Sequence, residues 1–119
     1  EEPVACIVSR WQRQSELSLP AIVKTGPAYA AFRLARVEAK QYGADQALLL
    51  NANGMVTESA EAAVFLVRQG CLYTPALSEG LLDSLTRRTI IQLAQQEFGL
   101  SVVECSITRS DLYTADEVF

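Results

Sequence analysis

The chain has 119 residues, 50% of them hydrophobic, and a formal net charge of -4 at pH 7. A chain of this length and composition can bury the core of one domain, so neither disorder nor a disulfide scaffold is needed to explain it. The acidic balance argues against nucleic acid as a partner, because proteins that bind the phosphate backbone concentrate lysine and arginine on one face.

The first predicted element is a short buried strand at residues 4–8, a run rich in β-branched side chains that leads into a polar stretch at residues 10–18. An amphipathic helix follows at residues 29–42, because apolar side chains recur there every three or four residues while charged side chains fall between them. Its expected C-terminal end is Gly43. The predicted apolar face consists of Tyr29, Phe32, Ala35, Ala39 and Tyr42.

Two hairpins are predicted in the middle of the chain. The first turns at residues 53–54, where Asn-Gly readily adopts the positive φ angles that tight hairpin turns demand. The second turns at residues 69–70, a Gln-Gly pair. The predicted strand pairs are residues 47–50 with 55–58 and residues 63–67 with 71–73.

A second helix is predicted at residues 84–98, ending at Gly99, with Ile90, Ile91, Ala94 and Phe98 on its apolar face. The remaining signals are a strand at Val102, Val103 and Ile107, a short turn capped by Ser110, and the first residues of a strand at 117–119. This order predicts a mixed α/β domain of the α+β type. Its sheet, or partial barrel, is expected to be mainly antiparallel and to carry two main helices.

Two residue counts and the length of the apolar runs limit the possible chemistry and the cellular compartment of this protein. The absence of histidine removes the usual zinc ligand and the base of Ser-His and Cys-His triads. The three cysteines are widely spaced, which is typical of reduced thiols in a cytoplasmic protein. No apolar run approaches the roughly 20 residues that span a bilayer, and the acidic start is not a signal sequence. We therefore expect a cytoplasmic protein with no membrane partner.

Lys24, Tyr29 and Glu58 together suggest pyridoxal-phosphate chemistry. Lys24 follows two apolar residues, so we expect its ammonium group to be partly desolvated, which lowers a lysine pKa towards nucleophilic use. Such an amine can form a Schiff base with the cofactor aldehyde. A carboxylate facing the pyridine nitrogen keeps it protonated, and a phenol can hydrogen-bond the ring oxygen. The alternatives are a surface lysine and a solvated glutamate beside a turn.

Leu85 and Thr86 stand at the start of the second predicted helix. Free backbone N–H groups and the positive end of the helix dipole make such a start an anion site, to which the threonine hydroxyl adds a donor. This site can hold a cofactor phosphate. The alternative is an ordinary capped helix. Arg87 and Arg88 are expected to be solvated or neutral towards the helix dipole, without a catalytic role.

Several short motifs follow one another in a characteristic order: Gly-Met-Val-Thr-Glu-Ser at 54–59, Val-Phe-Leu-Val at 64–67, Leu-Tyr-Thr-Pro at 72–75, Leu-Thr-Arg at 85–87 and Leu-Tyr-Thr-Ala-Asp-Glu-Val-Phe at 112–119. Together the motifs resemble the class IV, or fold type IV, pyridoxal-phosphate-dependent aminotransferases. This group includes branched-chain and D-amino-acid aminotransferases and aminodeoxychorismate lyase. The resemblance extends over residues 8–119.

The resemblance implies roles for five residues. Lys24, followed at the fifth position by Tyr29, matches the lysine that binds the cofactor covalently, and Glu58 matches the carboxylate that faces the pyridine nitrogen. Leu85 and Thr86 match the phosphate-binding helix start. The chain departs from the family pattern at Pro27 and Ala28, which replace Gly-Asn, at Ser84, which replaces glycine, and at Ala63, which replaces an asparagine that braces the loop carrying Glu61.

The implied activity is transamination between an amino acid, branched-chain-like or D, and a 2-oxo acid, in a homodimer. Residues 1–119 are expected to be a partial cofactor-binding domain, because family members also carry a smaller N-terminal domain and a following Gly-Thr strand. A fragment of this kind is expected to lack full activity. The alternatives are aminodeoxychorismate lyase activity and a non-catalytic domain of the same fold.

Overall fold

A computed structural model describes residues 2–119, which form seven strands and three α-helices. The strands are β1 (Cys6–Gln12), β2 (Gln46–Leu50), β3 (Val56–Ser59), β4 (Leu66–Arg68), β5 (Cys71–Pro75), β6 (Val102–Cys105) and β7 (Glu117–Val118). The helices are α1 (Tyr29–Gln41), α2 (Leu85–Gln96) and α3 (Arg109–Thr114), and short 3-10 turns lie at Gly26–Ala28 and Leu77–Glu79. None of the helices in this part of the chain has the length and apolar character that crossing a membrane requires.

The first sheet has the strand order β1-β2-β3. β1 pairs with β2 in parallel, and β2 pairs with β3 as an antiparallel hairpin. Parallel neighbours need a crossover connection, which here contains α1. One face of α1 packs on this sheet and buries a cluster that consists of Phe32, Ala35, Ala39, Ala47, Leu49 and Ala60.

The second sheet has the strand order β6-β5-β4-β7. β4 is antiparallel to both of its neighbours, whereas β5 and β6 are parallel and are connected through α2. A cluster with members from β2, β3 and β4 joins the two sheets: Leu48, Val56, Val64, Leu66 and Ile107. The prediction of a mixed α/β fold with two main helices is confirmed, and the two sheets do not close into a barrel.

Both predicted hairpins are confirmed. Gly54 has a φ of 78°, and the second turn places Gln69 and Gly70 at φ angles of 51° and 74°. Glycine adopts this left-handed backbone easily, which explains Gly54 and Gly70, whereas Gln69 is a non-glycine residue in the same region. Asn53 does not have the positive φ expected of it, and the first turn is closed by a hydrogen bond from the Gly54 N–H to the Asn51 carbonyl at 3.0 Å. The β2–β3 hairpin is the one that carries Glu58.

The first strand lies later in the chain than predicted. It covers Cys6–Gln12, and Ser9 is its one buried residue. The prediction of a buried strand at residues 4–8 is wrong because β1, among the residues that the structure describes, pairs with β2 alone. Its polar residues continue the parallel pairing as far as Gln12 opposite Leu50.

Both main helices are confirmed, but each ends before the predicted apolar face does. Tyr42 and Phe98 are exposed because they lie beyond the last helical residues. The third helix begins after Thr108, whose hydroxyl accepts a hydrogen bond from the Asp111 N–H at 3.2 Å. The predicted cap, Ser110, already lies within this helix. The signal for the correct cap was the Thr-x-x-Asp spacing of a capping box.

Candidate functional site

All five residues singled out in the sequence, Lys24, Tyr29, Glu58, Leu85 and Thr86, line one cavity of about 780 Å³. The cavity lies between the start of α1, the end of β3 and the start of α2. Three segments that are distant in the sequence therefore supply an amine, a phenol, a carboxylate and a helix N-terminus to the same space. A cavity of this size can take a small organic ligand.

Glu58 is the most buried of the five residues, at 8% exposure. Its Oε1 atom accepts a hydrogen bond from the Leu82 N–H at 3.2 Å and lies 3.2 Å from Nε of Arg13. Burial raises the pKa of Glu58, and the Arg13 charge and the Leu82 N–H act against that shift. A carboxyl group in this setting can accept a hydrogen bond from a protonated ring nitrogen, whose charge favours the carboxylate form.

Arg13 is a site residue that the sequence analysis missed. Its guanidinium group lies over the ring of Phe32, 4.8 Å from the centroid, and its Nε donates a hydrogen bond to the Gly80 carbonyl at 3.2 Å. The side chain is almost completely buried and lines the cavity. Nothing in the local sequence separates Arg13 from Arg10, whose side chain is largely exposed.

Lys24 lies in the loop before the Gly26–Ala28 turn, and it is exposed. The expectation that its ammonium group is partly desolvated is therefore wrong. Ile22 and Val23 were expected to cover the amine, but they are themselves 65% and 48% exposed. The structure places Lys24 at the rim of the cavity, with water access to its amine.

Tyr29 is the first residue of α1 and is half-buried. Its ring packs edge to face against Phe32, with the ring centroids 5.7 Å apart and the planes at 70°. Phe32 in turn carries the Arg13 guanidinium on its ring. Packing therefore orders the phenol and the buried arginine around the same aromatic side chain.

The start of α2 has the properties of an anion site. Ser84 is the N-cap, and its hydroxyl accepts a hydrogen bond from the Arg87 N–H at 3.1 Å. The Leu85 and Thr86 N–H groups belong to the first turn, where a helix offers them no backbone acceptor. Both residues line the cavity, so these donors can serve a bound anion.

Arg87 is buried at 2% exposure, so the expectation that it is solvated is wrong. Its Nη2 atom donates to the Pro75 carbonyl and to Oε1 of Glu104, both at 2.9 Å. These partners join α2 to β5 and β6. Arg88 is exposed, as expected, and pairs with Asp83 at 2.5 Å.

The loop after Glu58 is held by a hydroxyl. Ser59 Oγ accepts hydrogen bonds from the backbone N–H groups of Glu61 and Ala62, at 3.2 and 2.8 Å. These bonds support the loop in which Ala63 provides no side-chain amide. Glu61 also pairs with Arg36 across the cavity rim at 2.6 Å.

The charges around the cavity are more positive than those of the whole chain. Arg13, Lys24, Arg33 and Arg36 line it, against Glu58 and Glu61. The α2 N-terminus adds a positive dipole end. A ligand that carries a phosphate group and a ring nitrogen fits this arrangement, with the anion at α2 and the nitrogen at the buried carboxylate.

Comparisons with known proteins point to one family. The family described as amino-transferase class IV matches residues 1–119. The probable branched-chain-amino-acid aminotransferase of Aquifex aeolicus is 41% identical over 94% of this chain and 36% of its own length.

Two solved structures are similar throughout the described fold. The branched-chain amino acid aminotransferase of Thermobaculum terrenum in its PLP form has a TM-score of 0.95 and 41% identity, over 98% of this chain and 38% of that one. The Thermoproteus uzoniensis enzyme with norvaline has a TM-score of 0.96 and 41% identity, over 99% of this chain and 39% of that one. The chain thus spans less than two fifths of the length of each of these relatives.

Proposed function

This chain belongs to the class IV aminotransferase family, and we propose that it is the cofactor-binding part of an enzyme that transfers an amino group between an amino acid and a 2-oxo acid. Pyridoxal 5'-phosphate is the proposed cofactor. The branched-chain aminotransferases among its relatives support a branched-chain amino acid as the donor. The observation that carries the proposal is the single cavity bordered by Lys24, Glu58 and the start of α2.

When bound, pyridoxal phosphate supplies an aldehyde that takes up the amino group and a ring that withdraws electrons. The residues of this chain would hold it at three points. The Leu85 and Thr86 N–H groups and the threonine hydroxyl would donate hydrogen bonds to the phosphate. The Glu58 carboxylate would accept one from the protonated ring nitrogen, and the Tyr29 hydroxyl would donate one to the ring oxygen.

Lys24 has two proposed tasks. Its amine would bind the cofactor covalently, and once the substrate amine has displaced it, Nζ would move a proton between the substrate α-carbon and the cofactor. Lys24 is exposed at the cavity rim, which suits both tasks. A side chain without fixed partners can move between the position for covalent attachment and the position for proton transfer. No other lysine lines the cavity, since the second lysine of the chain, Lys40, lies on the exposed side of α1.

We extend the proposal to a cytoplasmic homodimer. Large apolar side chains are exposed, among them Leu17, Ile22 and Leu85, and such a surface favours association. The three cysteines are free, which suits a reducing compartment. Sedimentation of the protein that carries this chain tests the dimer, and a monomer at all concentrations contradicts it.

The proposed function is tested by assaying transamination from leucine to 2-oxoglutarate in the protein that carries this chain, followed by borohydride reduction and peptide mapping. We expect the reduced cofactor on Lys24. Lys24→Ala is expected to abolish the adduct and to lower turnover at least about a hundredfold, because it removes both the covalent attachment and the proton carrier. Lys40→Ala is the matched control, and this variant is expected to retain both the adduct on Lys24 and the turnover.

The alternatives give different results in the same experiment. An adduct on Lys40 contradicts the assignment of Lys24. An adduct on Lys24 with activity on aminodeoxychorismate but none on leucine indicates the lyase, and a preference for D-leucine indicates a D-amino-acid enzyme. If no cofactor is captured, the chain is a non-catalytic member of the family.

A further inference from the structure

The two oxygen atoms of Glu58 have different surroundings. The Leu82 N–H and Nε of Arg13 both lie 3.2 Å from Oε1, and neither contact involves Oε2. Because Glu58 lines the cavity, a carboxylate held through Oε1 leaves Oε2 as the acceptor for a ligand. In this arrangement Oε1 contacts the protein, and Oε2 is available to a ligand in the cavity.

Arg13 is a fixed partner for that carboxylate. Its backbone N–H donates to the Leu50 carbonyl at 2.9 Å, its Nε to the Gly80 carbonyl at 3.2 Å, and its guanidinium rests on the Phe32 ring. These three contacts come from three different parts of the chain. The hydrogen bond to Gly80 and the contact with Phe32 hold the guanidinium group, so its positive charge lies beside Glu58.

The other charged groups around the cavity are less suited to this task. Lys24, Arg33, Arg36 and Glu61 line the same cavity but are exposed. Solvent screens exposed charges strongly, whereas a buried pair is screened much less. In addition, Arg36 already has Glu61 as its partner.

We propose that Arg13 is a positioning residue of the cofactor site, which binds Oε1 of Glu58 and thereby presents Oε2 to the ring nitrogen of the cofactor. The inference rests on the proposed function for the identity of the ligand. It adds that the orientation and charge of Glu58 depend on an arginine that acts through this carboxylate. A purely structural Arg13 would stabilise the fold without any effect that depends on the ring nitrogen.

A comparison of two ligands separates these roles. The probes are pyridoxal 5'-phosphate and its 1-deaza analogue, in which a C–H group replaces the ring nitrogen, and affinity is measured by equilibrium dialysis. We expect Arg13→Gln to weaken the binding of pyridoxal phosphate about tenfold, which corresponds to the loss of roughly one charge-assisted hydrogen bond. The affinity for the analogue is expected to change less than about twofold. Equal losses for both ligands would overturn the proposal.

A double-variant cycle locates the effect at Glu58. In a Glu58→Gln background the further change Arg13→Gln is expected to leave the affinity for pyridoxal phosphate unchanged, because the carboxylate through which Arg13 acts is already absent. An undiminished loss in that background contradicts the proposal. Arg10→Gln is the matched control, since Arg10 pairs with Glu38 outside the cavity and is expected to leave both affinities unchanged.

A ligand-free measurement keeps the inference separate from the proposed function. Carbon-13 NMR of the Glu58 carboxyl group follows its titration in the unliganded protein. Arg13→Gln is expected to raise the midpoint, because it removes the positive charge that acts against burial, and Arg13→Lys is expected to keep most of that charge effect. Identical midpoints in all three proteins overturn the proposal, even if the protein binds neither ligand and the proposed function fails. If Arg13→Gln does not fold, Arg13→Lys still decides, because lysine cannot reproduce the arrangement of the guanidinium group. Loss of affinity for pyridoxal phosphate alone supports the positioning role, and equal affinity changes for both ligands overturn it.

Discussion

The hydroxyl of Thr57 donates a hydrogen bond of 2.7 Å to the backbone carbonyl of Leu49, and both residues are completely buried. Leu49 is also the cross-strand partner of Glu58. The bond therefore adds a side-chain restraint to the register of the hairpin that carries the carboxylate. Register matters at this position because a slip of one residue would turn Glu58 to the opposite face of the sheet.

Thr57→Val removes this bond while nearly preserving the shape of the side chain. We expect the free energy of unfolding to fall by about 1 kcal/mol, measured by urea denaturation, and the affinity for pyridoxal phosphate to fall as well. Thr74→Val is the matched control, because Thr74 makes a similar buried bond of 2.8 Å to the Val64 carbonyl away from the cavity. It is expected to lose similar stability and no affinity. Equal affinities for the two variants would disprove a role of Thr57 in the site.

Glu58→Gln tests the carboxylate separately from the amine. The variant keeps the size of the side chain and leaves Lys24 in place, so borohydride is still expected to attach the cofactor to Lys24. Turnover is expected to fall about a hundredfold or more, because the neutral amide does not stabilise the charge on the ring nitrogen. Glu97→Gln, at the exposed end of α2, serves as the control. Unchanged turnover in Glu58→Gln would refute the assignment.

The stability of Glu58→Gln relative to the unaltered protein is expected to depend on pH. Burial raises the pKa of Glu58 in the folded state above 4.5, so its stabilising contribution is complete below that pH and is lost as pH rises through the folded pKa. Glutamine does not titrate. The difference in free energy of unfolding should therefore move in favour of the variant as the pH rises from 4.5 through the folded pKa of Glu58. Urea denaturation at a series of pH values measures this difference. If the free energies of unfolding of the two proteins change in parallel with pH, the raised pKa of Glu58 is ruled out.

Thr108→Ala is expected to destabilise the protein by about 1 kcal/mol, because it removes the hydroxyl that caps α3. Ser110→Ala, two positions later, should stay within about 0.5 kcal/mol, since the Ser110 side chain is not the cap. Thermal unfolding of both variants distinguishes them. A larger loss for Ser110→Ala would show that the capping assignment is wrong.

Local patterns in the sequence were sufficient for those parts of the structure that depend on near neighbours. The hairpin that carries Glu58 follows from the turn at Gly54, and the free N–H groups at the start of α2 follow from an amphipathic helix pattern. Arg13 was missed because its burial depends on the Gly80 carbonyl, 67 positions away. Arg87 was misjudged for the same reason, since Glu104 lies 17 positions away. The exposure of Lys24 likewise depends on what packs over its loop, and local hydrophobicity does not report that.

The order of folding follows from the separation of the residues that make each contact. Thr57 and Leu49 are 8 positions apart, whereas Arg68 in β4 reaches Asp111 in α3 over 43 positions. Closing the longer loop costs about 1.5 kcal/mol more in chain entropy than closing the shorter one. We therefore expect the β2–β3 hairpin to form before β4 and α3 meet during refolding. Pulse-labelling hydrogen exchange measures this order. The hairpin amides that surround Glu58 should gain protection before the amides of β7, the strand that follows α3 in the sequence and pairs with β4.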